Sequence, residues 1–272
     1  MANWAAMTVP LDVLACPADG GSLAPETSGM RCRSCNREYP LVAGVLCMLP
    51  DELRQESEPQ APAWQAKRAE RQARDHQADR YDRMLGLRLL TCLERPRVLR
   101  ALSPDPQALV LDAGCGTGRI TLALARRCRL LAVDFSLASL VRCRSKLEQA
   151  GLSATLVQAD LNHLPVAPGT LDGVVSCQVL EHLPSAESRA GALAGWRRAL
   201  RPGGRLAATA YHYNWATRWF GAKEGCHPGG IFYHRFTLGE YAELIGQHFA
   251  LARVRPLGGY VLLAEASRPR ED

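Results

Sequence analysis

Apolar positions in the second half of the chain form short continuous runs that alternate with segments of helical spacing. The runs cover residues 109–113, 130–134, 155–160, 173–177 and 205–211. Continuous apolar runs of this length fit strands that are covered on both faces. Strands that alternate with helices predict an α/β fold, in which a parallel sheet is flanked by helices.

The pattern changes towards the C-terminus. A helix is predicted over residues 237–248, with Thr237 as its cap. Apolar runs at 250–255 and 260–266 then flank Pro256-Leu-Gly-Gly259, which predicts a hairpin. We therefore expect the sheet to end with an antiparallel strand.

The first half of the chain has a different pattern. Residues 1–50 are short apolar pieces broken by Gly, Pro and Cys, which predicts a separate module of small hairpins. Residues 51–100 predict a helical linker or cap, with a linker at 58–62 and one or two helices over 64–93. Residues 101–272 would form the α/β domain, and a segment at about 212–236 would cover its site.

Composition supports a globular protein with a substantial core. The chain has 272 residues, of which 47% are hydrophobic. No run approaches the roughly 18 apolar residues of a membrane span, and no signal segment is visible, so we expect a cytoplasmic protein without a membrane contact. Ten cysteines, several of them in apparent core segments, favour reduced thiols over a disulfide framework.

The net charge of +6 is a weak indication of a nucleic-acid partner, because the chain has 33 basic and 27 acidic residues. The most charged region, residues 52–83, interleaves both signs. This pattern is typical of a solvated helix face and less so of a phosphate-binding stripe.

Candidate chemistry is concentrated in Leu-Val-Leu-Asp-Ala-Gly-Cys-Gly-Thr-Gly, residues 109–118. A buried strand runs there into a glycine-rich turn that allows close approach of a ligand, and a helix is predicted over 119–128. Dinucleotide-binding folds share such turns. The spacing here is G-x-G-x-G, however, and not the G-x-G-x-x-G of nicotinamide-binding proteins, which argues against an oxidoreductase.

Four later segments follow this turn in a characteristic order. The five segments together are residues 110–118, 132–136, 158–161, 171–183 and 200–206. In this order they resemble the class I S-adenosylmethionine-dependent methyltransferases, and the likeness extends over about residues 75–272. The resemblance implies a Rossmann-like, seven-stranded sheet and S-adenosylmethionine as the methyl donor.

The resemblance also implies which residues contact the methyl donor. Asp112 would orient the amino-acid end of the donor. Asp134 would accept hydrogen bonds from the ribose hydroxyls, and Asp160 would accept one from the adenine amino group. The implied set is Tyr81, Asp112, Gly114, Cys115, Gly116, Gly118, Asp134, Phe135, Asp160, Leu161, Cys177 and Gln178. Alternatively, Asp134 and Asp160 cap helices, and Tyr81 packs in a helix interface.

Methyl transfer is an in-line displacement, so the enzyme must align the acceptor, exclude water and in some cases remove a proton. The candidates for proton removal are His182, His212, His227 and His234. His182 lies in Glu-His-Leu-Pro, a segment that in this fold also packs the start of a helix. Aromatic residues at 211–215 and 219–220 predict a wall for the acceptor.

The N-terminal module contains Cys16-Pro-Ala-Asp19 and Cys32-Arg-Ser-Cys35. It resembles a zinc ribbon, such as those of the small activator proteins of tRNA and protein methyltransferases, with Asp19 where the second thiolate is expected. Either Cys16, Asp19, Cys32 and Cys35 bind structural Zn²⁺, since carboxylate is an acceptable ligand, or the ribbon has lost its metal. Cys47 is an alternative fourth ligand.

Three functions remain open. The leading hypothesis is methylation of a small molecule, because Val-Leu-Glu-His-Leu at 179–183 is typical of family members with small acceptors. The ribbon would then be a structural cap or dock a protein partner. The second is an RNA methyltransferase whose ribbon contacts phosphates through Arg31, Arg33 and Arg37. The third is a non-catalytic partner-binding module.

Overall fold

A computed structural model describes residues 8–54, 62–81, 85–219, 221–227 and 229–270. Residues 58–61 of the predicted linker and Phe220 of the predicted aromatic wall lie outside these ranges. The helices are α1 (Asp51–Arg54), α2 (Pro62–Tyr81), α3 (Leu85–Leu102), α4 (Thr121–Leu124), α5 (Leu137–Gln149), α6 (Ala186–Ala199) and α7 (Leu238–Gly246). The strands are β1 (Leu23–Glu26), β2 (Gly29–Cys32), β3 (Glu38–Val42), β4 (Val45–Cys47), β5 (Leu109–Ala113), β6 (Arg129–Asp134), β7 (Thr155–Gln158), β8 (Leu171–Cys177), β9 (Leu200–Tyr211), β10 (Glu224–Cys226), β11 (Phe232–His234), β12 (Ala250–Leu257) and β13 (Val261–Ser267).

A seven-stranded sheet in the order β7-β6-β5-β8-β9-β13-β12 forms the centre of the molecule. Strands β7, β6, β5, β8 and β9 are parallel to one another, and β13 is antiparallel to both of its neighbours, β9 and β12. Every residue of β5 is buried, as expected for a strand between two layers of helices. The Rossmann-like α/β fold and its antiparallel end are confirmed.

Two predicted elements differ in extent. Of the helix predicted over 119–128, only α4 is helical, and turns lie on both sides of it. The C-terminal hairpin does not turn at Pro256, which pairs with Leu262 inside β12. The turn lies at Gly258 and Gly259, which have φ values of +59° and +79°. An edge strand tolerates a proline, since its outer face has no ladder to complete.

The N-terminal strands are continuous with the main sheet. Strand β4 pairs in parallel with β7, with Leu46 opposite Val157, so that β1 to β4 extend the sheet to eleven strands. Tyr39 and Met48 are buried in the same apolar cluster as Trp196 of α6. The module that the sequence predicts as separate therefore shares a core with the α/β domain.

Helix α2 crosses the carboxyl-terminal side of the sheet and packs on α5. The Asp75 carboxylate accepts hydrogen bonds from the Ser136 hydroxyl and from the backbone N–H of Ala138, the latter at 3.2 Å. These contacts position one face of α2 over the ends of β5, β6 and β7.

All ten cysteines lie in the described ranges, and none of them forms a disulfide there. Among the described helices, none is both long and apolar enough to cross a membrane.

Candidate active site

A cavity of about 330 Å³ lies at the carboxyl ends of β5, β6, β7 and β8, beneath α2. Open parallel sheets bind ligands at this position, because the loops that follow the strands converge there. The lining includes the glycine turn, side chains of α2, the segment after β8, and His227 and Ile231 of the predicted covering segment.

The glycine turn has a backbone conformation that residues with a side chain rarely adopt. Gly114 has a φ of +77°, and a Cβ there would lie 2.3 Å from a methyl carbon of Val179. Its N–H and that of Cys115 donate to the Val133 carbonyl of the neighbouring strand, at 2.8 and 3.0 Å. Gly118 is different, since it packs against Cys143 and does not line the cavity. The first two glycines of the turn border the cavity, and the third allows close helix packing.

Asp134 ends β6 with its carboxylate at the cavity. It accepts hydrogen bonds from Gly116 N at 2.7 Å and Ser136 N at 2.9 Å. Burial raises the pKa of this carboxyl, and the bond from Ser136 N opposes the shift. Helix α5 is capped by the Ser136 side chain, so helix capping does not explain Asp134.

Asp160 follows β7 and has two functions in the local structure. Its carboxylate accepts from Asn162 N at 3.1 Å, which caps a single 3₁₀ turn, as the capping alternative predicts. The other oxygen contacts Lys67 of α2 and lies 3.2 Å from His163 Nδ1. Burial raises the pKa of Asp160, but His163 and Lys67 outweigh it, and the pKa lies below its usual range. Leu161 lies beside it in the cavity wall.

Asp112 and Arg119 both line the cavity, and the arginine lies near enough to affect the pKa of the carboxyl. Asp112 at the end of β5 accepts a 2.7 Å hydrogen bond from the Thr121 hydroxyl. Burial raises the pKa of Asp112 to about 7, while Thr121 and Arg119 act in the opposite direction. Arg119 lines the same cavity, and the sequence reasoning missed it. Its position directly after the glycine turn was the available signal.

A second buried carboxylate lies behind this pair. Glu94 of α3 is fully buried and accepts hydrogen bonds from Arg119, the Thr209 hydroxyl and Gln178 Nε2, the last at 3.1 Å. Gln178 itself has a φ of +61°, which is uncommon for a residue with a side chain. Strained backbone of this kind is concentrated at functional sites.

The four candidate histidines separate into two groups. His182 and His227 line the cavity, with ring centroids 5.8 Å apart. His212 lies 3.2 Å from the Gly259 carbonyl, and His234 lies 3.1 Å from the Glu224 carboxylate; neither lines the cavity. The structure therefore brings two of the four candidates together.

His182 is held in one tautomer. Its Nδ1 donates to the Phe232 carbonyl at 2.7 Å, which leaves Nε2 as an acceptor. Burial lowers the pKa of His182 to about 3, so the ring is neutral near physiological pH. Tyr211 stands edge-on to it at 5.7 Å, and Nε2 of His227 is buried without a hydrogen-bond partner among the described residues.

Other implied contact residues also line the cavity: Cys115, Gly116, Phe135, Cys177 and Gln178. Tyr81 ends α2, and its side chain lies outside the described part of the structure. The charged side chains of α2 that line the cavity, Lys67, Glu70 and Arg74, were missed. Their interleaved charges have the sequence pattern of a solvated face.

The predicted metal ligands converge. The ligand atoms of Cys16, Asp19, Cys32 and Cys35 all lie within 4.8 Å of one another. The Sγ atoms of Cys16 and Cys35 are 3.7 Å apart, and Cys32 Sγ is 3.4 Å from an Asp19 oxygen. Tetrahedral Zn²⁺ with Zn–S near 2.3 Å needs edges of about 3.5–3.8 Å. The two quoted separations are close to these edges and the others stay within 4.8 Å, so the four groups are near enough to one another to bind this ion. The alternative ligand Cys47 lies in β4, outside the cluster.

Two of the three ribbon arginines that would contact RNA, Arg31 and Arg37, have acidic partners. Arg31 forms ion pairs with Glu26 and with Glu38, the latter at 2.6 Å. Arg37 pairs with Asp51 at 2.8 Å. Their charge is thus partly neutralised within the chain.

Comparison with known proteins agrees with this geometry. Residues 110–204 match the family model of a methyltransferase domain, and residues 11–44 match the Trm112p-like protein family. Over 184 residues the chain is 30% identical to the tRNA (carboxymethyluridine(34)-5-O)-methyltransferase of Macaca fascicularis. That match covers 67% of this chain and 25% of the relative, so the chain spans about a quarter of that protein's length.

Two solved structures illustrate the likeness in fold. The 1,6-didemethyltoxoflavin-N1-methyltransferase of Burkholderia thailandensis has a TM-score of 0.60 at 23% identity, covering 79% of this chain and 93% of that one. A complex of the Trm112 methyltransferase activator of Haloferax volcanii with a methyltransferase has a TM-score of 0.60 at 17% identity, covering 75% and 99%. At these identities the likeness concerns the fold.

Proposed function

We propose that this chain, which has a class I S-adenosylmethionine-dependent methyltransferase domain behind a Trm112p-like ribbon, transfers the methyl group of S-adenosylmethionine to a small-molecule acceptor. The observation that carries the proposal is the row of carboxylates at the ends of three adjacent strands. Asp112, Asp134 and Asp160 end or follow β5, β6 and β7, and all three line one cavity.

Each carboxylate suits one part of the methyl donor. Asp134 has two oxygens that each accept one backbone N–H, and the remaining lone pairs suit a pair of ribose hydroxyls. Asp160 suits the adenine amino group, with Leu161 beside the ring. Asp112 and Arg119 provide opposite charges for the ammonium and carboxylate of the amino-acid end. When bound, the donor supplies an electrophilic methyl group on a sulfonium.

The acceptor would bind between the glycine turn and the covering segment. His182, Tyr211, His227 and Ile231 form this part of the wall. Nε2 of His182 is a neutral acceptor, and it would accept a hydrogen bond from an O–H or N–H group of the methyl acceptor and so orient that group for the displacement. The enclosing helix α2 and the segment after β9 would exclude water.

An RNA acceptor is the second candidate, and the tRNA methyltransferase relative favours it. The ribbon offers it little support, because Arg31 and Arg37 are already paired with carboxylates. A non-catalytic binding module, the third hypothesis, does not account for the cavity and its three carboxylates.

The ribbon would have a structural role. Cys16, Asp19, Cys32 and Cys35 would hold Zn²⁺, and β4 completes the edge of the main sheet at β7. Because the ribbon uses this edge within the chain, a protein partner would have to bind another face.

Titration calorimetry with S-adenosylmethionine and S-adenosylhomocysteine tests the proposal. We expect both to bind, and absence of binding at millimolar concentration would exclude it. Transfer of radiolabelled methyl from the donor to a metabolite extract or to total RNA then separates the two acceptor classes. Label in RNA, with none in metabolites, would replace the leading proposal by the second.

A further inference from the structure

Glu94 is a fully buried carboxylate that does not line the cavity. It lies on α3 and accepts hydrogen bonds from three side chains, those of Arg119, Gln178 and Thr209. A buried carboxylate is costly unless it is paired and hydrogen-bonded, and this one is both. The three partners therefore compensate for the burial of the Glu94 carboxylate.

Two of the three partners belong to the cavity wall. Arg119 follows the glycine turn, and Gln178 follows β8 in a left-handed backbone conformation with a φ of +61°. Thr209 comes from β9. One carboxylate thus connects α3 with the glycine turn and with the ends of two neighbouring strands.

We propose that Glu94 is a positioning residue for the amino-acid end of the methyl donor, acting through Arg119. This inference rests on the proposed function. A long arginine side chain has many rotamers, and a fixed guanidinium loses less entropy when it binds a carboxylate. The Arg119 side chain is 12% exposed and is held by Glu94 and by Thr91, whose hydroxyl lies 3.3 Å away. Glu94 therefore keeps the guanidinium at the end of the cavity where Asp112 also lies.

Two probes separate positioning from a general structural role. S-Adenosylhomocysteine carries the amino-acid end, whereas 5′-deoxy-5′-methylthioadenosine has the same adenine and ribose and lacks it. The Glu94→Gln variant keeps the shape of the side chain and removes its charge. We expect its affinity for S-adenosylhomocysteine to fall by about tenfold or more, and its affinity for methylthioadenosine to stay within about twofold.

Matched variants complete the experiment. Glu148→Gln removes another ion-paired glutamate, the exposed partner of Arg144, and should change neither affinity. Arg119→Gln should reproduce the selective loss, and the Glu94→Gln/Arg119→Gln pair should lose no more than Arg119→Gln alone. Glu94→Asp keeps the charge but withdraws it by one methylene, and should show an intermediate selective loss.

The outcomes are distinct. Equal losses for both probes, or full additivity in the double variant, would overturn the positioning role. If Glu94→Gln does not fold, Glu94→Asp and Arg119→Gln still decide it, since unselective losses in these variants contradict it. If the parent protein binds neither probe, the proposed function fails instead.

Discussion

Replacing Asp134 by alanine would remove the carboxylate that the proposed function assigns to the ribose of the methyl donor. In the structure, one of its oxygens accepts a hydrogen bond from Gly116 N at 2.7 Å and the other accepts one from Ser136 N at 2.9 Å. An ionised carboxylate has about four acceptor positions, so two remain for hydroxyl groups. The substitution therefore removes acceptors that only the bound ligand would use.

The expected loss of affinity follows from these two acceptor positions. A hydrogen bond to a charged group contributes about 1.5–3 kcal/mol, and water replaces part of what is lost. We expect at least one such contribution to be lost, so affinity for S-adenosylhomocysteine should fall by about 10- to 150-fold. Asp134→Asn retains one acceptor oxygen without the charge, and its loss should be smaller.

Titration calorimetry measures the affinities, and thermal unfolding shows that each variant is folded. The matched control is Asp105→Ala, because Asp105 is exposed, accepts from Gln107 N at 2.9 Å and lies outside the cavity. If Asp134→Ala binds as tightly as the parent, or if the Asp105 variant loses as much, the ribose assignment is wrong.

Three further predictions concern pH, metal and packing. Burial lowers the pKa of His182 to about 3, so below pH 6.5 the unfolded chain binds a proton that the folded chain does not. Between pH 6.5 and 5.5, the free energy of unfolding measured in urea should therefore fall by about 1 kcal/mol more for the parent than for His182→Asn. An equal pH dependence of the two proteins would contradict this. Metal analysis should find one Zn²⁺ per chain. Cys32→Ser should lose the ion, and Asp19→Cys should retain it at higher chelator concentrations than the parent does. A parent protein that is fully folded without metal would rule out a required site. Leu46 is 2% exposed beside β7, and Leu46→Ala should lower the free energy of unfolding by about 2–4 kcal/mol in a single unfolding transition. Val42 is 42% exposed, and Val42→Ala should lower it little. Separate unfolding transitions for the ribbon and the α/β domain would show that the two do not share a core.

Local signals in the sequence were sufficient for much of the site. Asp112, Asp134 and Asp160 each come at or just after the end of an apolar run, and the carboxyl ends of parallel strands meet at one edge of the sheet. The spacing of the ribbon cysteines likewise identified a cluster of four groups. These inferences need only short-range order and one general rule of topology.

Other residues could not be found in this way. Glu94 lies in a charged helical region where nothing marks it as buried, and only the packing of α3 on β8 and β9 brings it to Arg119. The convergence of His182 and His227, without His212 and His234, depends on how the covering segment folds back. Local periodicity contains no information about such contacts.

The sequence alone determined the alternation of strands and helices, the glycine turn and the acidic residues at or just after the ends of β5, β6 and β7, because these follow from short-range sterics and hydrophobic periodicity. The tertiary structure decided which charges are buried and paired, and how the ribbon joins the sheet through β4 and β7. Both depend on contacts between residues that are far apart in the chain, such as Leu46 and Val157. Pairing across that distance is fixed by the packing of the whole molecule.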